Sequence, residues 1–167
     1  MTITTTISRM EYTGNASTTV FAYSFKIIAD SDLKVYLVTT ATGAKVLKTL
    51  TTHYTVSNAG VNSGGNVTMV TAPSAAEELV IERQVPQTQA VDYIENDAFS
   101  ANTHEAALDK LAMGVQDNAR DLDRSLSLDK ETASAVSAVM PVPAANSFVG
   151  WNSSADALIN LGAQSDL

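Results

Sequence analysis

Between residues 102 and 128 the apolar positions recur with helical spacing: Leu108, Leu111, Val115, Leu122 and Leu126 lie three, four or seven residues apart. That spacing lines a single narrow stripe along a helix. Asn118 and Ser125 interrupt the stripe with polar groups, while Ala112, Ala119 and Leu126 form a flanking row. A narrow stripe belongs either to one strand of a coiled coil or to a lid on the helix's own domain. A polar residue in such a seam costs stability but can fix register and strand number. Asn102 and Glu105, three apart, predict a capping box at the helix start. At ~1.5 Å per residue the helix would run roughly 35–40 Å.

Upstream the period changes from helical to two, and short runs alternate between turn-forming clusters. Residues 3–12, rich in Thr, predict a first strand that ends at Gly14-Asn15. In residues 18–28, Phe21, Tyr23 and Phe25 share one face against Val20, Ala22 and Ser24. Asp30-Ser31-Asp32 predicts a turn, followed by residues 33–40 with Leu33, Val35 and Leu37 on one side. Residues 41–44 close a hairpin into residues 45–50. Residues 54–57, 66–70 and 79–85 predict three more strands; in the last, Leu79, Ile81 and Arg83 lie opposite Val80 and Glu82. Strand and turn signals recurring about every 8–12 residues favour a small β-sandwich, although one sheet and two remain open at this level.

Four regions follow: a β-sandwich over 1–98, a helix over 99–128, a Pro-broken linker over 129–145 and a short β module over 146–167. The fold class is therefore mainly β, with one long helix forming a bundle and a short β tail. That tail carries Phe148, Val149 and the chain's single Trp, Trp151, before a turn at residues 152–156. A two-stranded piece of that size cannot bury a Trp by itself, so another surface must cover it.

Composition narrows the function. Of the 167 residues 45% are hydrophobic but only 6% are aromatic, which predicts a thin core and some burial supplied by other chains. A net charge of −8 repels phosphate backbones and argues against nucleic acid as a partner. No basic run suggests an anionic membrane surface, and no stretch approaches the ~18 apolar residues of a membrane span. With no Cys there is no disulfide, thiolate metal site or cysteine nucleophile. The first residues lack the basic start and apolar run of a signal peptide, so synthesis in a cytoplasm without secretion is expected.

The candidate chemistry is sparse. His53 and His104 are the only histidines and fall in different elements, at a strand entrance and in the first helical turn. Asp30 and Asp32 have the spacing of two calcium ligands, but the rest of such a loop is missing and a turn cap accounts for both. Asp92, Glu95 and Asp97 could pair for glycoside hydrolysis, yet only Tyr93 and Phe99 stand near as stacking platforms. Ser63-Gly64-Gly65 lacks the Lys and following helix of a phosphate loop. Neither a metalloprotease helix nor a serine-hydrolase elbow is present. The expectation is a protein that is no enzyme, with no catalytic, metal or cofactor site.

The order of the parts carries more information. Residues 12–38, YTGNASTTVFAYSFKIIADSDLKVYLV, contain Tyr12-Thr-Gly-Asn, Thr18-Thr-Val-Phe and the Phe25, Asp30, Leu33 stretch. Residues 53–113 contain Tyr54-Thr-Val with a Gly-rich loop, Ala72-Pro73, Ile81-Glu82-Arg83 with Val85-Pro86, and Ala107-Leu108-Asp109-Lys110-Leu111. Across residues 10–128 this succession resembles the N-terminal virion-anchoring domain of phage tail fibres and tailspikes, of the type typical of short-tailed phages. The segment FVGWNSSADALINL is similar to short modules that follow such domains.

The resemblance implies a homotrimeric structural protein of the virion, made in the host cytoplasm. Its β-domain would dock on phage tail proteins (adaptor, nozzle or baseplate), and its helix would lead into a fibre shaft or receptor-binding protein. No catalytic residue is carried over, because the anchoring domain has none. Leu108, Leu111, Val115, Asn118, Leu122, Leu126 and Trp151 are the candidate trimer interface. The chain stops at Leu167 without a receptor-binding tip, so the distal part is expected either elsewhere in a longer protein or on a separate fibre held by an adaptor. The competing readings are a carbohydrate-binding or carbohydrate-degrading β-domain with a lid helix, and a calcium-dependent adhesion module resting on Asp30 and Asp32.

Overall fold

A central strand, β7 (Glu77–Arg83), organises the β region of the computed structural model. The structure describes residues 3–89, 91–95, 98–125, 128 and 135–163. On one side β7 pairs antiparallel with β1 (Arg9–Thr13), with Tyr12 opposite Leu79. On the other it pairs with β3 (Leu33–Thr39), with Val35 opposite Ile81, and β3 continues into β4 (Lys45–Leu47). A second antiparallel sheet has the order β2 (Val20–Tyr23), β6 (Gly65–Met69), β5 (Tyr54–Val56). Every connection within these sheets is antiparallel, as expected for short strands joined by tight turns.

The alternation along each strand fixes what is buried. Phe21 and Tyr23 from β2, Val67 and Met69 from β6, and Tyr54 from β5 share one core with Leu33, Val35, Leu79 and Ile81 of the larger sheet. Phe25, placed with Phe21 and Tyr23 by the sequence, extends that core beyond β2, and Ile27 joins it. The question of one sheet or two is answered: two sheets contribute to one core. Tyr54 buries its hydroxyl by donating to the Leu33 carbonyl at 2.9 Å, so no polar group is stranded there. The Asp30–Asp32 turn is a 3-10 turn in which the Asp32 carboxylate accepts the Ala29 N–H at 3.0 Å and the Ile28 N–H at 3.3 Å.

Two expectations change. Strand β1 begins only at Arg9; ahead of it the Ser8 carbonyl still accepts the β7 Arg83 N–H at 2.8 Å, while the Ile3 N–H and the Thr5 and Ser8 carbonyls engage the helix. Helix α1 runs Ala101–Asp123, so Asn102 lies inside it, and Ser100 takes the capping role. Ser100 Oγ accepts from the Thr103 N–H at 3.3 Å, three residues on, as an N-cap side chain does. At the other end Ser125 donates its hydroxyl to the Leu122 carbonyl at 2.7 Å, closing the helix short of residue 128.

Residues 1–121 form one compact unit, which holds both sheets and nearly all of α1. Residues 122–167 form the second. In the second unit β8 (Ser147–Trp151) and β9 (Leu158–Ala163) make an antiparallel hairpin with Trp151 opposite Leu158. Its turn is held by Asn152, which donates to Asp156 Oδ1 at 2.6 Å and accepts the Asp156 N–H at 3.1 Å. The strand-turn-strand read from the sequence is thus present, and Phe148, Val149, Trp151, Ile159 and Leu161 are all exposed on it.

Candidate functional site

Helix α1 meets the β region through its polar side. Asp109, Met113 and Asp117 succeed one another at intervals of four, and all three are buried. Gln116 and Arg120 belong to the same face. About half a turn around the helix lie Leu108, Leu111, Val115 and Leu122, all exposed; Leu111 is 65% and Val115 60% accessible. The usual arrangement of an amphipathic helix on its domain is therefore reversed.

Arg83 explains how a polar face can be the buried one. It follows Leu79 and Ile81 on the inward row of β7, and its side chain is wholly inaccessible. Its Nε donates to Asp117 Oδ1 at 3.1 Å, and its Nη2 donates to Gln116 Oε1 at 2.7 Å and to the Met113 carbonyl at 3.4 Å. Nη1 donates to the Lys26 carbonyl at 3.3 Å, and the guanidinium sits 5.9 Å from the Phe25 ring centre. The other Asp117 oxygen accepts the Val85 N–H at 3.1 Å. Burial pushes the Asp117 carboxyl above its ordinary range, against the opposing pull of the Val85 N–H and the two arginines. Burial likewise lowers Arg83, against the pull of Asp117. Each charge is tolerated inside because the other is there.

A second pair reinforces the first: Lys26 Nζ donates to Asp109 Oδ2 at 2.7 Å, and Asp109 Oδ1 accepts the Ile3 N–H at 3.3 Å. Gln116 donates to the Thr5 carbonyl at 3.0 Å, and Arg120 reaches the Ser8 carbonyl at 3.4 Å and the Arg83 carbonyl at 2.6 Å. Residues 3–8 thus run along the helix as a strap. Turning the stripe inward would strand Arg83 and Lys26, and stranding one partner of a buried ion pair costs about 3–5 kcal/mol.

Beside the stripe, α1 and the segment after β7 enclose a groove of about 610 Å³, lined by Val85, Pro86, Val91, Leu111, Gly114 and Val115 among others. Lys110 Nζ donates to the Thr88 carbonyl at 2.5 Å, and Gln87 donates to Asn118 Oδ1 at 2.6 Å. These bonds tether the segment alongside the helix. Asn118, read as a seam residue, therefore has a partner within its own chain.

The remaining candidates separate. Leu108, Leu111, Val115 and Leu122 come together as one exposed line on α1, with Leu122 the first residue of the second unit; Trp151, 44% exposed, lies further along in that unit and outside the helix. Leu126 lies outside the described residues, as does Asp97 of the carboxylate trio; Asp92 and Glu95 are exposed. His53 accepts the Thr49 N–H through Nδ1 at 3.1 Å, and His104 Nδ1 lies 3.2 Å from the Tyr93 hydroxyl with Phe99 close by. Among the described residues no group of three or more His, Cys, Asp or Glu is placed to hold a metal ion. No helix among them is long and apolar enough to cross a membrane. Sequence reasoning missed Arg83, Asp117 and Asp109, because a polar helix face is ordinarily a solvated one. The available signal was Arg83 standing on an otherwise apolar inward row.

The chain matches no family model. Over 116 residues, 70% of its length, it is 38% identical to the tail spike protein of Salmonella phage epsilon15, and the match spans 11% of that protein. Most of this chain is therefore a domain related to part of a phage tail spike.

Proposed function

We propose that the chain is a structural component of a phage virion tail, anchoring a trimeric tail fibre or tailspike and so supporting host attachment. The observation that carries this reading is the exposed line of Leu108, Leu111, Val115 and Leu122, on the side of α1 opposite its buried charges. An apolar stripe kept outward at that cost is suited to packing against copies of itself. The similarity to a phage tail spike protein supports the same direction. In this reading the β region docks on a tail protein, α1 contributes the first part of a three-helix bundle, and the β8–β9 hairpin is covered where the distal module continues. No catalytic step is assigned to this region.

The test is mass in solution together with location on the particle. Sedimentation equilibrium at micromolar concentration should give three times the chain mass, and an affinity label on the chain should be seen at the tail by electron microscopy. A persistent monomer at tens of micromolar would overturn the trimer. Label absent from purified virions would overturn the anchor.

A further inference from the structure

Arg83 does more than stabilise. We infer that Arg83 and Asp117, seconded by Lys26 and Asp109, are positioning residues that set the roll of α1 about its own axis, so that its apolar stripe is presented outward for self-association. The inference rests on the proposed packing of α1 against other copies of the chain. It adds the device that makes α1 competent for it.

Three observations carry it. First, the contacts of Arg83 are directional: one guanidinium engages Asp117 Oδ1, Gln116 Oε1 and the Met113 carbonyl, which lie on a single helix face. A planar fork of donors satisfied this way accepts one rotational setting of its partner, whereas a patch of methyl groups accepts many. Second, Asp117 is fixed from the strand side as well, because Oδ2 takes the Val85 N–H. Third, Lys26–Asp109 repeats the arrangement two turns earlier, so a roll that broke one pair would break both. Buried polar groups that select one arrangement among several apolar ones act in the same way in coiled-coil seams.

The chain has no Cys, so a single introduced thiol reports the roll directly. Met113 is inaccessible and lies on the docked face, away from the stripe. Met113→Cys should be protected from a maleimide in the otherwise native chain. Replacing the pair with apolar side chains of similar reach, Arg83→Met with Asp117→Leu, keeps the shape of the contact without the direction. The thiol should then react at least tenfold faster, and self-association should weaken at least tenfold by sedimentation, while the tyrosine near-UV signal persists. A thiol that stays protected in this double variant means that shape rather than charge sets the roll, and overturns the inference. Unchanged self-association despite an exposed thiol overturns it as well. A native chain that is monomeric throughout overturns the packing reading instead, and the thiol rate still decides whether the pair sets the roll.

Discussion

Arg83 on strand β7 and Asp117 on helix α1 meet at 3.1 Å inside the protein, joining a sheet to a helix through charge where most domains use methyl groups. The chemical consequence is an orientation: the helix has Asp109, Asp117 and Gln116 inward and its leucines outward.

Removing Asp117 should be costly. Asp117→Ala leaves Arg83 buried without its counter-charge, and the unit formed by residues 1–121 should lose about 3–5 kcal/mol. Asp117→Asn, which keeps an oxygen for one of the two donors, should lose less. Urea unfolding can be followed selectively, because all five Tyr lie in the first unit and the single Trp in the second. A loss under 1 kcal/mol for Asp117→Ala would mean that the pair contributes little.

Changes in the stripe should show the opposite profile. Leu111→Asp and Leu122→Asp replace exposed side chains, so the stability of the single chain should move by only about 0.5 kcal/mol. Self-association should nevertheless weaken by tenfold or more, and more than for Asp121→Ala on the same helix. Equal and negligible effects on sedimentation would remove α1 from the assembly.

Gly64 should be among the least replaceable loop positions. Its φ of +79° disfavours any side chain, and a Cβ there would come within 1.9 Å of the Tyr23 carbonyl oxygen. Gly64→Ala should therefore destabilise by ~2 kcal/mol or more. Gly43, with φ of +69° but open space around it, isolates the conformational part, and Gly43→Ala should cost only about 1 kcal/mol. Similar midpoints for the two variants would show that the close approach to Tyr23 is readily relieved.

Alkaline titration should find a buried tyrosine. Burial, with a smaller contribution from Asp30, raises Tyr23 from 10.0 to about 12. The folded state thus favours the neutral phenol more than the unfolded chain does. The stability this gives is complete below the unfolded value and is lost as pH rises through the folded one, so it should decline between pH 10.0 and about 12. Tyr36 and Tyr54, also raised by burial, add in the same direction. Tyr23→Phe should flatten the decline in melting temperature; an unchanged slope would exclude Tyr23 as a contributor.

Local pattern determined a good deal of this protein. Alternation placed Phe21, Tyr23, Phe25, Leu33, Val35, Leu79 and Ile81 in the core, and turn chemistry located the Asp30–Asp32 turn and the β8–β9 hairpin. Those features follow from period and backbone preference, which neighbouring residues carry themselves. The stripe on α1 was legible for the same reason. Which side of α1 the domain would hold was decided only in three dimensions. Residues 3–8 are Thr-rich like a strand, yet their amides and carbonyls find Asp109, Gln116 and Arg120 more than a hundred positions away. A carboxylate such as Asp117 looks like any solvated charge until Arg83, 34 positions earlier, is folded against it. Pairing between distant charges leaves no period in the chain, so tertiary structure alone turned Asp109 and Asp117 of α1 inward and its leucines out.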